Sequence, residues 1–347
     1  MLTTEIPVQA SQLPVRDIRE RRTRRGSVRD RGRRLEIGLV NNMPDAAVSA
    51  TERQFIRLLE AASGEFDLTL RLYALDEVPR AAEARAAMAR SHHNPYHLRI
   101  RPPDALIVTG AEPRAPSLRE EPYWKALTGI IDWADDHTIS TLLSCLAAHA
   151  GVLHLDGVAR EPMPTKCSGV FGFEIVGDHR LVAGLSAGYR APHSRLNGLN
   201  ERALTREGYF VLTRSEEVGV DLFVKDRGCL MVFVQGHPEY DDDTLAREYR
   251  RDIARFLRGE RAAAPATPQN YYSDSAITAL RAFAARAGRE PSPELIADFP
   301  TIGGLGPGDA PWRKPGEQLY RNWVRLIADR KAARLAQTTF AAKRWGG

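Results

Sequence analysis

Short apolar blocks alternate along this chain with amphipathic stretches, and the alternation predicts most of its elements. Residues 35–42, Leu-Glu-Ile-Gly-Leu-Val-Asn-Asn, read as an opening strand, and Met43-Pro44-Asp45 as a turn. Residues 49–62 place Phe55, Ile56, Leu58 and Leu59 at helical spacing, which predicts a helix with one apolar face. Residues 66–75 alternate as a strand does, and the Ala/Arg-rich stretch to about His97 reads as helix followed by loop. Residues 104–111 predict a buried strand that runs into a loop, and 123–136 a helix. Residues 138–144 predict an apolar strand leading straight into an Ala-rich helix. Further on, strands are predicted over 169–176, 210–213, 221–225 and 230–235, and helices over 242–256, 273–287 and 316–335. In the last helix Leu319, Trp323, Val324 and Leu326 are placed to dock on the core. Residues 262–269 read as an Ala/Pro linker. The glycines of 301–308 make a loop with no strand before it, so it is not a phosphate cradle.

Strand and helix alternate through the first half, which predicts an α/β fold: a doubly wound, mostly parallel sheet flanked by helices. The expected organisation is an Arg-rich, disordered leader (1–34), an α/β catalytic domain (35–260) and a C-terminal helical extension (261–347) packing on it.

Composition narrows the class. Hydrophobic residues are 43% and charged residues 27% of 347, as in an ordinary globular protein. Three cysteines make no disulfide framework and have no metal-ligand spacing, so no metal is expected and a reducing cytoplasm is the expected compartment. No apolar run is long enough to span a bilayer, so no membrane partner is expected. The net charge of +5 is uneven, with ten arginines between positions 16 and 34. Without aromatic interleaving, that run reads as a solvated leader and not as a nucleic-acid arm.

The candidate chemistry lies in two strand ends about ninety residues apart. The strand ending at Ser144 hands over at Cys145 to a helix. A thiol there faces the unpaired N–H groups and positive end of that helix, surroundings that favour the nucleophilic thiolate. The other strand ends in His237-Pro238-Glu239. Proline biases His237 towards an extended conformation, in which residues two apart share a face, so Glu239 can orient the imidazole that serves the thiol. Cys145, His237 and Glu239 are therefore the expected nucleophile, base and orienting acid of an acyl-transfer triad. Cys229 is expected at the opposite end of the sheet, and Lys166-Cys167 in a loop near the pocket.

The chain resembles homoserine O-acyltransferases of the homoserine O-succinyltransferase type, which share the class I glutamine amidotransferase fold. The matching stretches are Asn41-Asn42-Met43-Pro44, Thr51-Glu52-Arg53-Gln54-Phe55, 106–111 and Tyr123-Trp124. They continue with Ser140-Thr141 before Cys145, Lys166, 168–171, Pro192-His193-Ser194-Arg195, 236–241, 244–246, Arg251-Asp252 and Asn322-Trp323. The resemblance covers roughly 35–330 and keeps their order. It implies a ping-pong reaction with no permanently bound cofactor. Cys145 takes the acyl group of an acyl-coenzyme A co-substrate, succinyl-CoA or acetyl-CoA, and His237, held by Glu239, helps pass it to an amino-acid hydroxyl, most simply that of L-homoserine on the route to methionine. It also implies an oxyanion hole of backbone N–H groups near Cys145 and in the Thr109-Gly110-Ala111 loop, substrate contacts from Lys166, Ser194 and Arg251, and a homodimer. The family chooses its acyl group at a loop position that is Arg114 here; glycine admits succinyl and glutamate favours acetyl. Arginine is neither, and a guanidinium can pair with the free carboxylate of a succinyl group. Two further departures, Leu146 and His149, stand where the family commonly has tryptophan and glutamine. Other readings are an O-acetyltransferase, an acyltransferase for another hydroxy amino acid, a glutamine amidotransferase-like amidase and a non-catalytic regulatory homologue.

Overall fold

A computed structural model describes residues 16–17, 33–300 and 310–345, with side chains described for 33–300 and 310–337. Apart from Arg16–Asp17 and Arg33-Arg34, the expected leader lies outside the described residues, as does the glycine loop 301–308. Among the described residues the main sheet has eight strands. Its parallel centre runs β3 (Asp67–Tyr73), β2 (Arg34–Val40), β4 (Ala105–Val108), β5 (Ser140–Ser144) and β12 (Leu230–Val234). Antiparallel strands close both edges: β1 (Arg16–Asp17) beside β3, and β11 (Leu222–Asp226) then β8 (Phe210–Val211) beyond β12.

Alternate residues of these strands feed two cores, as pleating requires. Ile37, Leu39, Ile107 and Leu142 face α1 (Val48–Ala62) and the C-terminal helix, whereas Val40, Leu106, Val108 and Leu143 face α4 (Trp124–His137) and α5 (Leu146–Asp156). Both faces are covered, so the strands read as nearly continuous apolar runs. This is the doubly wound architecture expected. The Ala/Arg-rich stretch holds α2 (Ala82–Ala89) and a short helix α3 (His97–Ile100).

A second sheet, ordered β10-β9-β6-β7, stands off the first. It is built on a long hairpin of β6 (Arg160–Ile175) and β7 (Tyr189–Leu199), extended by β9 (Thr213–Ser215) and β10 (Gly219–Val220). Lys166-Cys167 thus lies within a strand and not in the expected loop, with Lys166 inside a register shift between Pro162 and Cys167. A short helix α6 (Glu201–Arg206) follows β7. Then α7 (Thr244–Leu257) and α8 (Asp274–Arg289) form a third core with Tyr271, Tyr272 and Trp312.

The last helix, α9 (Arg313–Trp345), is longer than its apolar pattern predicts. Trp323 is fully buried, and its indole N–H donates to Ser140 Oγ at the start of β5 at 2.9 Å. Near its N-terminus Gly316 lies against Pro238, where a Cβ would stand 2.9 Å from the Pro238 carbonyl oxygen. Through these contacts α9 braces both the strand that ends at Cys145 and the turn that follows β12.

Candidate active site

β5 and β12 are adjacent and parallel, with Ser144 in register with Val234, so Cys145 and the His237 turn emerge from the same sheet edge. Ligands of doubly wound sheets bind at that edge. The Cys145 N–H donates to the Val234 carbonyl at 2.7 Å, and Cys145 then caps α5 with φ 51° and ψ −111°. That left-handed conformation strains a residue with a Cβ, and such strain persists where the surroundings hold a side chain at a sharp strand-to-helix turn. The side chain is half-buried.

His237 and Glu239 meet, though not on an extended strand. The Tyr240 N–H returns to the His237 carbonyl at 3.1 Å, so the segment is a turn with Pro238 at its second position. His237 Nδ1 lies 2.8 Å from Glu239 Oε1, which leaves the ring's other nitrogen for the Cys145 thiol, near enough for its charge to act on the imidazole. Tyr240 stacks on the imidazole at 4.2 Å between ring centres. Burial alone would depress the His237 pKa, but the Cys145 sulfur and the Glu239 carboxylate outweigh it and raise it well above the ordinary value.

Strand β7 and Asp221, just ahead of β11, hold the base from behind, a role that sequence reasoning missed. The His237 N–H donates to Pro192 O of β7 at 2.8 Å. Asp221 Oδ1 accepts from Gly236 N–H at 2.7 Å, and its Oδ2 from the Tyr189 hydroxyl at 3.0 Å. His193 stands beside this carboxylate, fully buried, and Arg195 Nε donates to His193 Nδ1 at 3.3 Å. Burial, with Arg195 and His237 nearby, keeps the His193 pKa well below its ordinary value.

Donors for an oxyanion flank the sulfur. Leu146 opens α5, so its N–H has no partner within the helix. The loop after β4 presses on it: a Cβ on Gly110 would stand 2.6 Å from Leu146 Cβ and 3.1 Å from Leu146 N. Gly110→Ala is expected to push the two apart and cost about 10²-fold in kcat with little change in Tm, because displacement of one oxyanion donor has that magnitude. Steady-state kinetics with a thermal melt checks it.

Two of the predicted substrate contacts, Lys166 and Arg251, meet at Asp252 of α7. Lys166 Nζ donates to Asp252 at 2.8 Å, and Arg251 lies 3.2 Å from the same carboxylate. Ser194 pairs with Ser168 across the hairpin and is half-buried. Neighbouring Val170 and Pro192 also pair, and Val170 packs into the α7 core. Arg114 is exposed. Its loop is anchored by Glu121 Oε1, which accepts from the N–H groups of Arg114 (2.6 Å) and Ala115 (2.7 Å). Asp252 itself carried one signal in the sequence, an acid on the stripe formed by Tyr249, Ile253 and Leu257.

His149 is engaged by a neighbour other than the thiol. Its Nε2 bonds Gln235 Oε1 at 2.8 Å, and burial takes its pKa down to about 4. The denatured chain takes up this proton near 6.5, the folded chain only near 4, so the stability it supports is full above 6.5 and lost as pH falls from there towards 4. His149→Gln keeps a donor for Gln235 and removes the titration. Between about pH 7.5 and about pH 5 the variant is expected to lose about 2 kcal/mol less than the parent in chemical denaturation.

Cys229 lies at the far end, 3.2 Å from Thr138 Oγ1, as expected, and burial raises its pKa. Cys167 is buried in the hairpin core and its pKa is pushed up to about 11, so it is no rival nucleophile. Among the described residues no group of His, Cys, Asp or Glu is arranged to hold a metal ion, and no helix is long and apolar enough to cross a membrane.

The homoserine O-succinyltransferase family matches residues 12–333. A homoserine O-succinyltransferase from Methylorubrum extorquens is 55% identical over 300 residues, 86% of this chain and 89% of its own. One from Rhodopseudomonas palustris is 48% identical over 85% of this chain and 88% of its own. Among solved structures, a glutamine amidotransferase from Methylobacillus flagellatus aligns over 85% of this chain and 95% of its own, at 15% identity and a TM-score of 0.47. On the first two of these findings, the chain belongs to the homoserine O-succinyltransferase family.

Proposed function

We propose that this protein transfers a succinyl group from succinyl-CoA to the hydroxyl of L-homoserine, a step of methionine biosynthesis, through a thioester on Cys145. The observation that carries this reading is 55% identity over most of the chain to a homoserine O-succinyltransferase. The Cys145, His237 and Glu239 geometry supplies the chemistry. The Cys145 thiolate attacks the thioester carbonyl, and the developing oxyanion is received by the N–H groups of Leu146 and the Gly110 loop. Collapse expels coenzyme A, which takes its proton from the His237 imidazolium. The neutral imidazole then accepts the hydroxyl proton of homoserine as its oxygen attacks the acyl carbon. The second collapse returns sulfur and imidazolium to their starting state and releases the ester. Glu239 keeps Nδ1–H pointed at itself, so the other ring nitrogen always serves the reacting atoms.

Lys166, Ser194 and Arg251 are assigned to the amino-acid substrate, with the Arg251 fork suited to its α-carboxylate. Arg114 is assigned to the choice of acyl chain. Residues 35–260 form the catalytic unit, residues 261–347 a helical extension that braces it, and 1–34 a leader outside the chemistry. A cytoplasmic homodimer completes the reading. Incubation with succinyl-CoA alone should release about one equivalent of free coenzyme A per chain and leave a succinyl group on the Cys145 peptide, which homoserine then discharges. Acylation by acetyl-CoA but not by succinyl-CoA, or glutamine hydrolysis with no thioester chemistry, would overturn the reading.

A further inference from the structure

Asp252 is a nearly buried carboxylate that holds three cations. Its Oδ2 is 2.8 Å from Lys166 Nζ and 3.0 Å from Arg261 Nη1, and its Oδ1 is 3.2 Å from Arg251 Nη2. The Asp252 side chain is 3% exposed, whereas Lys166, Arg251 and Arg261 are 20%, 42% and 32% exposed. Burial would raise the Asp252 pKa, but these cations hold it below the ordinary range, so it stays charged. The group therefore presents two positive charges in excess, fixed by one acid and open on its outer side. One turn further along α7, Arg255 grips both oxygens of Glu112 at 2.7 and 3.3 Å. Glu112 belongs to the loop between Gly110 and Arg114, so the acyl-choosing loop is fastened to the helix that carries this cluster.

The excess charge has a counterpart in the second half of the reaction. While a succinyl group sits on Cys145 and homoserine attacks it, two carboxylates occupy the site together: the acceptor's α-carboxylate and the free end of the acyl chain. An acetyl group would bring only one. Lys166 and Arg251 are already assigned to the acceptor, and Arg261 has no assignment. Resting on the proposed succinyl transfer, we infer that Arg261 binds the distal carboxylate of a dicarboxylic acyl group and so shares the choice of acyl donor with the Arg114 loop. Asp252 sets the guanidinium in place, and a planar fork suits a carboxylate better than the compact charge of a lysine does.

The test uses the full chain and its Arg261→Gln and Arg261→Lys variants, with succinyl-CoA and acetyl-CoA as donors. Release of free coenzyme A is followed through the first turnover, and the homoserine KM in steady state. Arg261→Gln is expected to slow acylation by succinyl-CoA about 10- to 100-fold, the scale of a lost charged hydrogen bond. Acylation by acetyl-CoA should change by less than about 2-fold and the homoserine KM should stay constant, with Arg261→Lys recovering part of the loss. Equal losses with both donors would overturn the inference, since the two share every phosphate and differ only in the acyl end. A raised homoserine KM with donor preference intact would also overturn it, by moving Arg261 to the acceptor. Failure of the parent chain to take an acyl group from either donor would instead sink the underlying reading, and Arg258→Ala, a change at a neighbouring exposed arginine, controls for loss of surface charge.

Discussion

Replacing Cys145 by alanine is expected to lower kcat by at least about 10⁴-fold, because covalent transfer disappears and only binding and oxyanion contacts remain. The fold should survive, since the thiol sits at a half-buried position and contributes little packing. Cys145→Gly gives an independent readout of the same geometry. At φ 51° and ψ −111° a Cβ is strained and glycine is not. The glycine variant should therefore be as inactive as the alanine variant yet more stable than the parent by about 1 kcal/mol, a relief within the usual range for such strain. Inactivity would be read from coenzyme A release and stability from chemical denaturation. If Cys145→Ala kept substantial turnover with no acyl group on the protein, direct transfer without an enzyme thioester would have to replace the ping-pong scheme. If Cys145→Gly were less stable than the parent, the strained turn would not be a store of energy held for the nucleophile.

What could be read in the sequence follows from which side chains face apolar cores. Strands β2, β4, β5 and β12 are buried on both faces and announce themselves as runs of aliphatic residues. Their parallel order then brings Cys145 and His237 to one edge, so the heart of the site was legible. The hairpin strand β7 was not. Its inward positions include His193 and Arg195, buried because they serve the polar network behind His237, and this erases the alternation by which a strand is recognised. The strand placement of Lys166 was hidden in the same way, by the register shift just before Cys167 and by the exposed residues around it. Asp221 gave no signal, because its role depends on a partner, Gly236, that only the β11–β12 pairing brings near. The meeting of His237 with Glu239 was foreseen for the wrong local reason. A proline turn, buttressed by Gly316 of α9, does what an extended segment was expected to do.

Glu239→Gln isolates the electrostatic part of the triad. The amide preserves the size of the side chain, and Tyr240 stacking with the Pro192 carbonyl still fixes the backbone and ring plane of His237. The negative charge that helps raise the His237 pKa is gone, and so is the constraint on which ring nitrogen carries the proton. The expected loss in kcat is about 10² to 10⁴-fold, smaller than for Cys145→Ala because nucleophile and base both remain. The pH profile supplies the sign. With the Glu239 carboxylate neutralised, His237 releases its proton at lower pH. The basic limb of kcat/KM for the acyl donor, which reports the imidazolium of the free enzyme, should move towards acid. The acid limb of kcat, which reports the neutral imidazole needed by the acyl-enzyme, should move the same way. An unchanged profile with a large fall in kcat would mean that Glu239 acts by holding the ring in place and that its charge is incidental. A profile shifted towards base would contradict the direct Glu239–His237 contact at 2.8 Å, because loss of an adjacent anion cannot strengthen the imidazole as a base.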